Sequence, residues 1–274
     1  MTLSVVIVNW NTKDIIEKCL DSIFKYYINK IESGEYEIIV IDNGSADGSA
    51  EYLSNLGSKI FLIENSDNLG YAPACNQGMK AAKGKYVLLL GSDTIMKEGV
   101  LEKCSAFLDT HEDAGAVGCR LLNPDTTVQN NCKMFPRFAN GIYTYLSLDK
   151  MNREYDMHSF GYDVTVPVEQ IATTFLMVRK DVLEKINYFD EHYRILYNDV
   201  DLCRKIWNTG CKIYFLHTAE IIHFGSHSTK KADMRLRALM YEDIYRYYRK
   251  NFGFKALLLL PILALRLIFV SAIK

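Results

Sequence analysis

The strongest constraint on this chain is a rhythm. Short β-branched apolar runs each end in small polar residues, and helical spacing separates them. Residues 5–8 (Val-Val-Ile-Val) end at Asn9-Trp10-Asn11-Thr12, and residues 38–41 (Ile-Ile-Val-Ile) end at Asp42-Asn43-Gly44-Ser45. Between them Ile15, Ile16, Cys19, Leu20, Ile23 and Phe24 recur at the intervals of one helix face. Strand, helix and strand in this compass make a βαβ unit, and uninterrupted apolar strands imply a sheet covered on both sides.

The alternation continues with a helix at 49–56, a strand at 60–64, a helix at 71–82, a strand at 86–90, a helix at 97–110 and a strand at 116–120. The fold class is therefore α/β, with an open, mostly parallel central sheet and helices on both faces. Ligands of such sheets sit at the carboxyl ends of the strands. Asn9, Asp42, residues 65–68 and residues 91–93 all fall at such ends. Periodicity fades over 123–167, which reads as loops and β-hairpins, a substrate-facing insertion. Order returns over 171–179, followed by helical stretches at 180–186 and 199–209 and strands at 212–216 and 219–223.

Three constellations carry chemistry. Gly91-Ser92-Asp93-Thr94 directly follows an apolar strand, which suits Asp93 to a hard divalent cation bridging two phosphates. The same acid also reads as the cap of a helix starting near Lys97. Asn198-Asp199-Val200-Asp201 opens a helix, so its two acids point in different directions. One can face a cleft and take the proton from an attacking hydroxyl, or both can simply complement the helix dipole. His223 closes a strand, where a neutral imidazole suits a metal and a structural or exposed histidine is equally compatible. His227 follows in the Gly-Ser setting of a loop.

A net charge of −1 gives no global reason to expect nucleic acid. The seven cysteines are scattered and form no C-x-x-C pair, which argues against a zinc ribbon or disulfide framework and for reduced thiols. Met1-Thr2 runs straight into the first strand without a secretory apolar region, so the expectation is a body facing the cytoplasm.

In order and spacing, the pieces resemble the family 2 glycosyltransferases of the GT-A fold, in particular their rhamnosyltransferase-like branch. The matching segments lie at 4–11, 19–22, 37–48, 65–78 and 88–93, then Phe189-Asp190-Glu191, Asn198 to Arg204, Gly210 and His223. The resemblance implies an inverting transfer of a sugar from a nucleotide-diphosphate donor, dTDP-rhamnose or a UDP-sugar, to a hydroxyl of a lipid-linked or polysaccharide acceptor. It further implies that Asn9 and Asn11 line the base and ribose pocket and that Asp42 contacts base or ribose. Asn68, Gly70 and Ala74 would close on the nucleotide, with Ser92 in the same site. Asp93 would bind Mg²⁺ or Mn²⁺, His223 would meet metal or diphosphate, and Asp199 would be the general base. Two positions depart from the family pattern. Gly91 replaces the usual first acid of the D-x-D pair, and Asn198 replaces the acid that usually precedes the base.

The tail changes character, which divides the chain into a catalytic domain at 1–228 and a C-terminal segment at 229–274. Residues 235–250 form an aromatic and basic helix, and 256–273 are apolar apart from Arg266 and Ser271, with Pro261 as a kink. That length suits a bilayer span of roughly 17–25 residues, although Arg266 costs about 2.5–3.5 kcal/mol on insertion scales. A transmembrane helix, an in-plane anchor on the cytoplasmic side of a membrane and a helix buried in a homodimer interface all fit. A nucleotidyltransferase is the competing enzyme class, but it normally carries a Gly-rich basic loop after the first strand, and residues 9–13 offer one lysine and no glycine. A non-catalytic sugar-nucleotide-binding protein is the third reading.

Overall fold

A computed structural model of the chain describes residues 1–146, 148–225 and 234–265. The first half is β1 (Leu3–Asn9), α1 (Lys13–Glu32), β2 (Tyr36–Asn43), α2 (Ser49–Asn55), β3 (Phe61–Asn65), α3 (Tyr71–Ala81), β4 (Tyr86–Gly91), β5 (Thr94–Ile95), α4 (Val100–Thr110) and β6 (Ala114–Leu122). It continues with β7 (Val128–Gln129), β8 (Cys132–Lys133), α5 (Phe138–Tyr145), β9 (Val166–Val168), β10 (Gln170–Ile171) and β11 (Phe175–Arg179). The last elements are α6 (Lys180–Lys185), α7 (Asn198–Asn208), β12 (Lys212–His223) and α8 (Met234–Phe252).

The main sheet has the order β3-β2-β1-β4-β11-β6-β12-β5. β1 pairs in parallel with β2 and β4, and β2 in parallel with β3. β12 is parallel to β6. β11 is the reversed strand between β4 and β6. Its reversal has a consequence for the site: the loop that enters β11 lies beside the exit of β4, with Phe175 opposite Leu90. Successive side chains on a strand face opposite sides. Val5, Ile7, Val40 and Leu88 accordingly pack with α1 and α4, while Val6, Ile39, Ile41 and Leu89 pack with α3, α6 and α7.

Three stretches differ from the sequence expectation. The segments expected as two strands at 212–216 and 219–223 are one strand, β12, whose register against β6 shifts between Leu216 and Glu220. The stretch expected as loops and hairpins contains the helix α5, whose Gly141 and Tyr145 are buried. Its partner is α8, since a Cβ on Gly141 would lie 2.8 Å from the Tyr248 ring. That contact is invisible to local periodicity. Pro261, expected as a kink, falls in the first turn of the helical stretch that follows the 3-10 segment Gly253–Leu259, a place where proline is tolerated.

α8 docks by its aromatic face. Tyr145, Tyr193, Val200, Ile244, Tyr247, Tyr248, Ala256 and Leu259 form a third apolar cluster. Among the described residues, no helix is long and apolar enough to cross a membrane. Residues 266–274, the end of the apolar tail, and His227 lie outside the described residues.

Gly78 sets how closely α3 approaches the sheet: an added Cβ would lie 2.5 Å from Val6 Cγ1 and 2.6 Å from Ile41 Cδ1. Both neighbours are buried and cannot retreat. Gly78→Ala gains about 1 kcal/mol of helix propensity but overpacks the core by about 1–3 kcal/mol. Urea unfolding is expected to show a net loss of up to about 2 kcal/mol; a stabilised variant would show that α3 is not held against β1 and β2 in this way.

Candidate active site

Polar side chains at the ends of β1, β2 and β3 are knitted to one another. Asn9, fully buried, donates to Asp42 Oδ1 at 2.8 Å and Ser45 Oγ at 3.2 Å, and accepts from the Thr12 hydroxyl at 2.7 Å. Asp42 Oδ2 accepts the Ser45 N–H. Asn11, at φ 52°, accepts the Ala46 N–H and donates its own N–H to Ser45 Oγ. A second lattice joins Asn43, Asn65, Gln77 and Asn68, with Asn68 Oδ1 accepting from Asn43 Nδ2 at 2.8 Å and from the Gly70 N–H at 2.9 Å. Gly70 stands at φ 92°, a turn into α3 that glycine adopts without strain. The Ala74 methyl is buried in the core behind it. What these side chains set directly is the shape of the loops that rim the strand ends.

The next strand end carries the acid. Beyond β4 the chain turns at Gly91, where the Thr94 hydroxyl donates to the Gly91 carbonyl at 2.8 Å. Helix α1 braces the turn: Ser22 Oγ accepts the Met96 N–H, and the Tyr27 hydroxyl donates to the Lys97 carbonyl. Ser92, half-buried, lies between Gly91 and Asp93. β5 then pairs antiparallel with the end of β12, Thr94 opposite His223 and Ile95 opposite Ile222. The Phe224 N–H donates to the Asp93 carbonyl at 2.9 Å. This ladder places His223 Nε2 3.2 Å from Asp93 Oδ2. Helix α4 begins only at Val100, after Gly99, so Asp93 is not its cap. Gly91 also has a spatial reason: a Cβ there would sit 2.9 Å from Asp93 Oδ1.

The histidine's tautomer follows from its other neighbour. Gln129 Nε2 donates to the His223 carbonyl at 2.8 Å, which fixes the orientation of the amide. Gln129 Oε1 therefore faces His223 Nδ1, at 2.6 Å, and Nδ1 carries the hydrogen. In the neutral ring Nε2 then has a lone pair toward the Asp93 carboxylate, an arrangement satisfied by a shared cation, whereas the protonated ring would donate to Gln129 and Asp93 together. Two ligands of one cation at about 2.1 Å and a right angle lie about 3 Å apart, so Asp93 and His223 fit a divalent metal completed by phosphate and water oxygens. Among the described residues, no cluster of three or more His, Cys, Asp or Glu side chains could hold a metal.

The two acids of α7 diverge, as their spacing requires. Asp201 is buried and bound to Lys250 Nζ of α8 at 2.8 Å. Asp199, half-buried, accepts the Val200 N–H at 2.8 Å. Burial raises its pKa, opposed by that N–H and by the charge of Lys133. Asp199 also acts on the phenol of Tyr71, itself raised chiefly by burial. The Tyr71 hydroxyl donates to Thr173 Oγ1 at 3.3 Å, and the neighbouring Thr174 carbonyl accepts the Gly91 N–H at 2.9 Å. Tyr71 and Thr173 are thus tied to the exit of β4, with Asp199 near enough to act on the phenol electrostatically. The loop ahead of α7 is held from α8, where the buried Asp243 carboxylate accepts the N–H groups of Arg194, Ile195 and Leu196 at 3.1, 2.7 and 2.9 Å.

Gln129, Thr173, Thr174 and Asp243 are absent from the sequence reading. Gln129 sits in the aperiodic stretch, Thr174 acts through its backbone carbonyl, and the Thr173 hydroxyl and Asp243 carboxylate meet partners distant in sequence, for which a sequence carries no marker.

A sheet of this order, with the reversed β11 between β4 and β6, is the GT-A arrangement. S. aureus TarS residues 1–349 superpose with a TM-score of 0.62 at 18% identity, covering 92% of this chain and 74% of that one. GalNAc-T7 with UDP, GalNAc and Mn²⁺ superposes at 0.65 with 14% identity, over 90% and 48%. The family model described as "Glycosyl transferase family 2" matches residues 4–186, and the chain belongs to that family. It is a glycosyltransferase, which sets aside the nucleotidyltransferase and non-catalytic readings. Among sequence relatives, an N-acetylglucosaminyl-diphospho-decaprenol L-rhamnosyltransferase of Mycobacterium tuberculosis is 23% identical over 70% of this chain and 67% of its own length. Glycosyltransferase GlyG of Streptococcus pneumoniae is 24% identical over 99% and 86%.

Asp199 offers a test with two opposite readouts. A carboxyl whose pKa is raised on folding adds stability at low pH and loses it as pH rises through the folded value. At pH 7 Asp199→Asn is therefore expected to hold or raise the thermal midpoint, while turnover falls by about 10²–10⁴-fold. Retained turnover would contradict the base assignment, and a lowered midpoint would contradict its burial as a charge.

Proposed function

We propose that the enzyme moves a sugar, with inversion, from a nucleotide-diphosphate donor to a hydroxyl of a lipid-linked or glycan acceptor. The observation that carries this reading is the Asp93–His223 pair at 3.2 Å, on a strand-end loop whose Gly91 N–H bonds the Thr174 carbonyl, next to the Thr173 hydroxyl that accepts from Tyr71, a phenol within electrostatic reach of Asp199. In the reaction the acceptor oxygen attacks the anomeric carbon, its proton passes to the Asp199 carboxylate, and the bond to the diphosphate oxygen breaks on the opposite side. Asp93 and His223 would hold Mg²⁺ or Mn²⁺, which supplies positive charge to the leaving diphosphate. Asn9, Asn11, Asp42, Asn68 and Gly70 act through the loops they shape, which take the base and ribose, and Ala74 through the packing of α3 behind them. Ser92 lies where the loop meets the diphosphate.

For the donor, dTDP-rhamnose is the first choice, supported by the mycobacterial rhamnosyltransferase relative. A UDP-sugar is the second, supported by TarS solved with UDP-GlcNAc, which superposes at a TM-score of 0.63. The decaprenol in that relative's name supports a lipid-linked acceptor. The expected outcome with a donor panel is release of nucleoside diphosphate from one of these classes, abolished by EDTA, restored by Mn²⁺ or Mg²⁺, and lost in Asp93→Asn. Activity unaffected by EDTA would contradict the metal, and no turnover of any donor would contradict the donor class.

The tail supports a second part of the proposal, attachment to the cytoplasmic face of a membrane. Phe254 is 78% exposed and Leu258 67%, beside the basic Arg249 and Lys255, while Ala256 and Leu259 hold the segment to the body. Apolar anchors beside cations suit an anionic lipid surface. The protein is expected to float with anionic vesicles, and Phe254→Ser with Leu258→Ser to release it. A soluble homodimer broken by the same substitutions would contradict membrane docking.

A further inference from the structure

We infer that Gln129 is a positioning residue for His223: it fixes the imidazole tautomer and so keeps Nε2 as a metal-binding lone pair beside Asp93. The inference rests on the metal reading proposed above and names a residue outside its ligand set. Gln129 lies on β7, which pairs with β6 through Leu121 opposite Gln129 and Leu122 opposite Val128. The turn between these strands is built locally. Asn123 N–H donates to the Thr127 carbonyl at 2.8 Å, Asn123 Nδ2 to Thr127 Oγ1 at 2.8 Å, and Thr127 N–H to Asp125 Oδ1 at 3.0 Å. The turn also points Asn123 Oδ1 at Gln129 Nε2, 2.6 Å away. The amide nitrogen thus donates to two carbonyl oxygens, Asn123 Oδ1 and the His223 backbone, and neither can donate in return. Gln129 Oε1 has one remaining direction, toward His223 Nδ1 at 2.6 Å. Histidines that ligate metals are oriented in this way by an acceptor on the second ring nitrogen.

A purely structural role, bracing the β6–β7 turn against β12, needs the amide to donate. Tautomer control needs it to accept. Two substitutions separate these. Gln129→Leu removes both functions, whereas Gln129→Glu keeps the acceptor and loses the donor. In Mn²⁺ titrations followed by electron paramagnetic resonance, with and without UDP, Gln129→Leu is expected to weaken Mn²⁺ binding by about 10–100-fold. Gln129→Glu is expected to stay near the wild type. In the metal-free protein above the imidazole titration range, ¹⁵N-histidine spectra are expected to show the Nδ1–H form of His223 in wild type and Glu variant and its loss in the Leu variant, with His223→Ala supplying the assignment. Equal losses in both variants, or an unchanged tautomer in Gln129→Leu, would overturn the inference. If the wild type itself binds no Mn²⁺, the metal reading fails, and the metal-free spectra still decide the role of Gln129.

Discussion

Thr94 and Ile95 pair with His223 and Ile222 in a ladder of only two residues, yet it joins distant parts of the chain into one site. Everything around it serves to make the ladder possible. β12 runs parallel to β6, shifts register between Leu216 and Glu220, and so reaches the far edge of the sheet at its end. Helix α1 holds the opposite partner through Ser22 and Tyr27. The outcome is an acid and an imidazole 3.2 Å apart with defined orientation, the preorganisation that lets fixed charge act on a reacting group without first rearranging.

The Asp199 side of the crevice depends on a different device. Helix α8 places one buried carboxylate, Asp243, under three consecutive N–H groups of the loop that leads into α7. It adds Lys250, bound to Asp201 at 2.8 Å and Asp190 at 3.1 Å. The C-terminal helix is therefore part of the support for Asp199. Its described aromatic residues, which read by composition as an interfacial segment, pack on α5 and α7, and the residues after Gly253 present an exposed apolar face.

Much of the fold was legible because β1, β2 and β4 are apolar throughout and flanked by helices of clear period. The reversed strand β11 was not, since strand direction is decided by pairing with β4 and β6 rather than by local pattern. α5 was missed because its stability comes from Tyr248 in the distant α8. At the site, Asp93, Asp199 and His223 stood out as chemistry-bearing residues at element ends. Geometry removed one alternative, since α4 is capped at Gly99 and not by Asp93, and it set the two acids of α7 apart, since Asp201 is paired with Lys250. Asn9, Asp42 and Asn68 were found at the correct strand ends, but their hydrogen bonds to one another depend on three-dimensional neighbours that no spacing reveals.

The central claim is that Asp93 and His223 form one cation site at the diphosphate end of the crevice. The most direct measurement is a crystal structure of the protein with Mn²⁺ and a nucleoside diphosphate, with the metal located by its anomalous scattering. The account predicts one peak in contact with Asp93 Oδ2, His223 Nε2 and a phosphate oxygen. A diphosphate bound without metal, or a metal that contacts neither side chain, would contradict it.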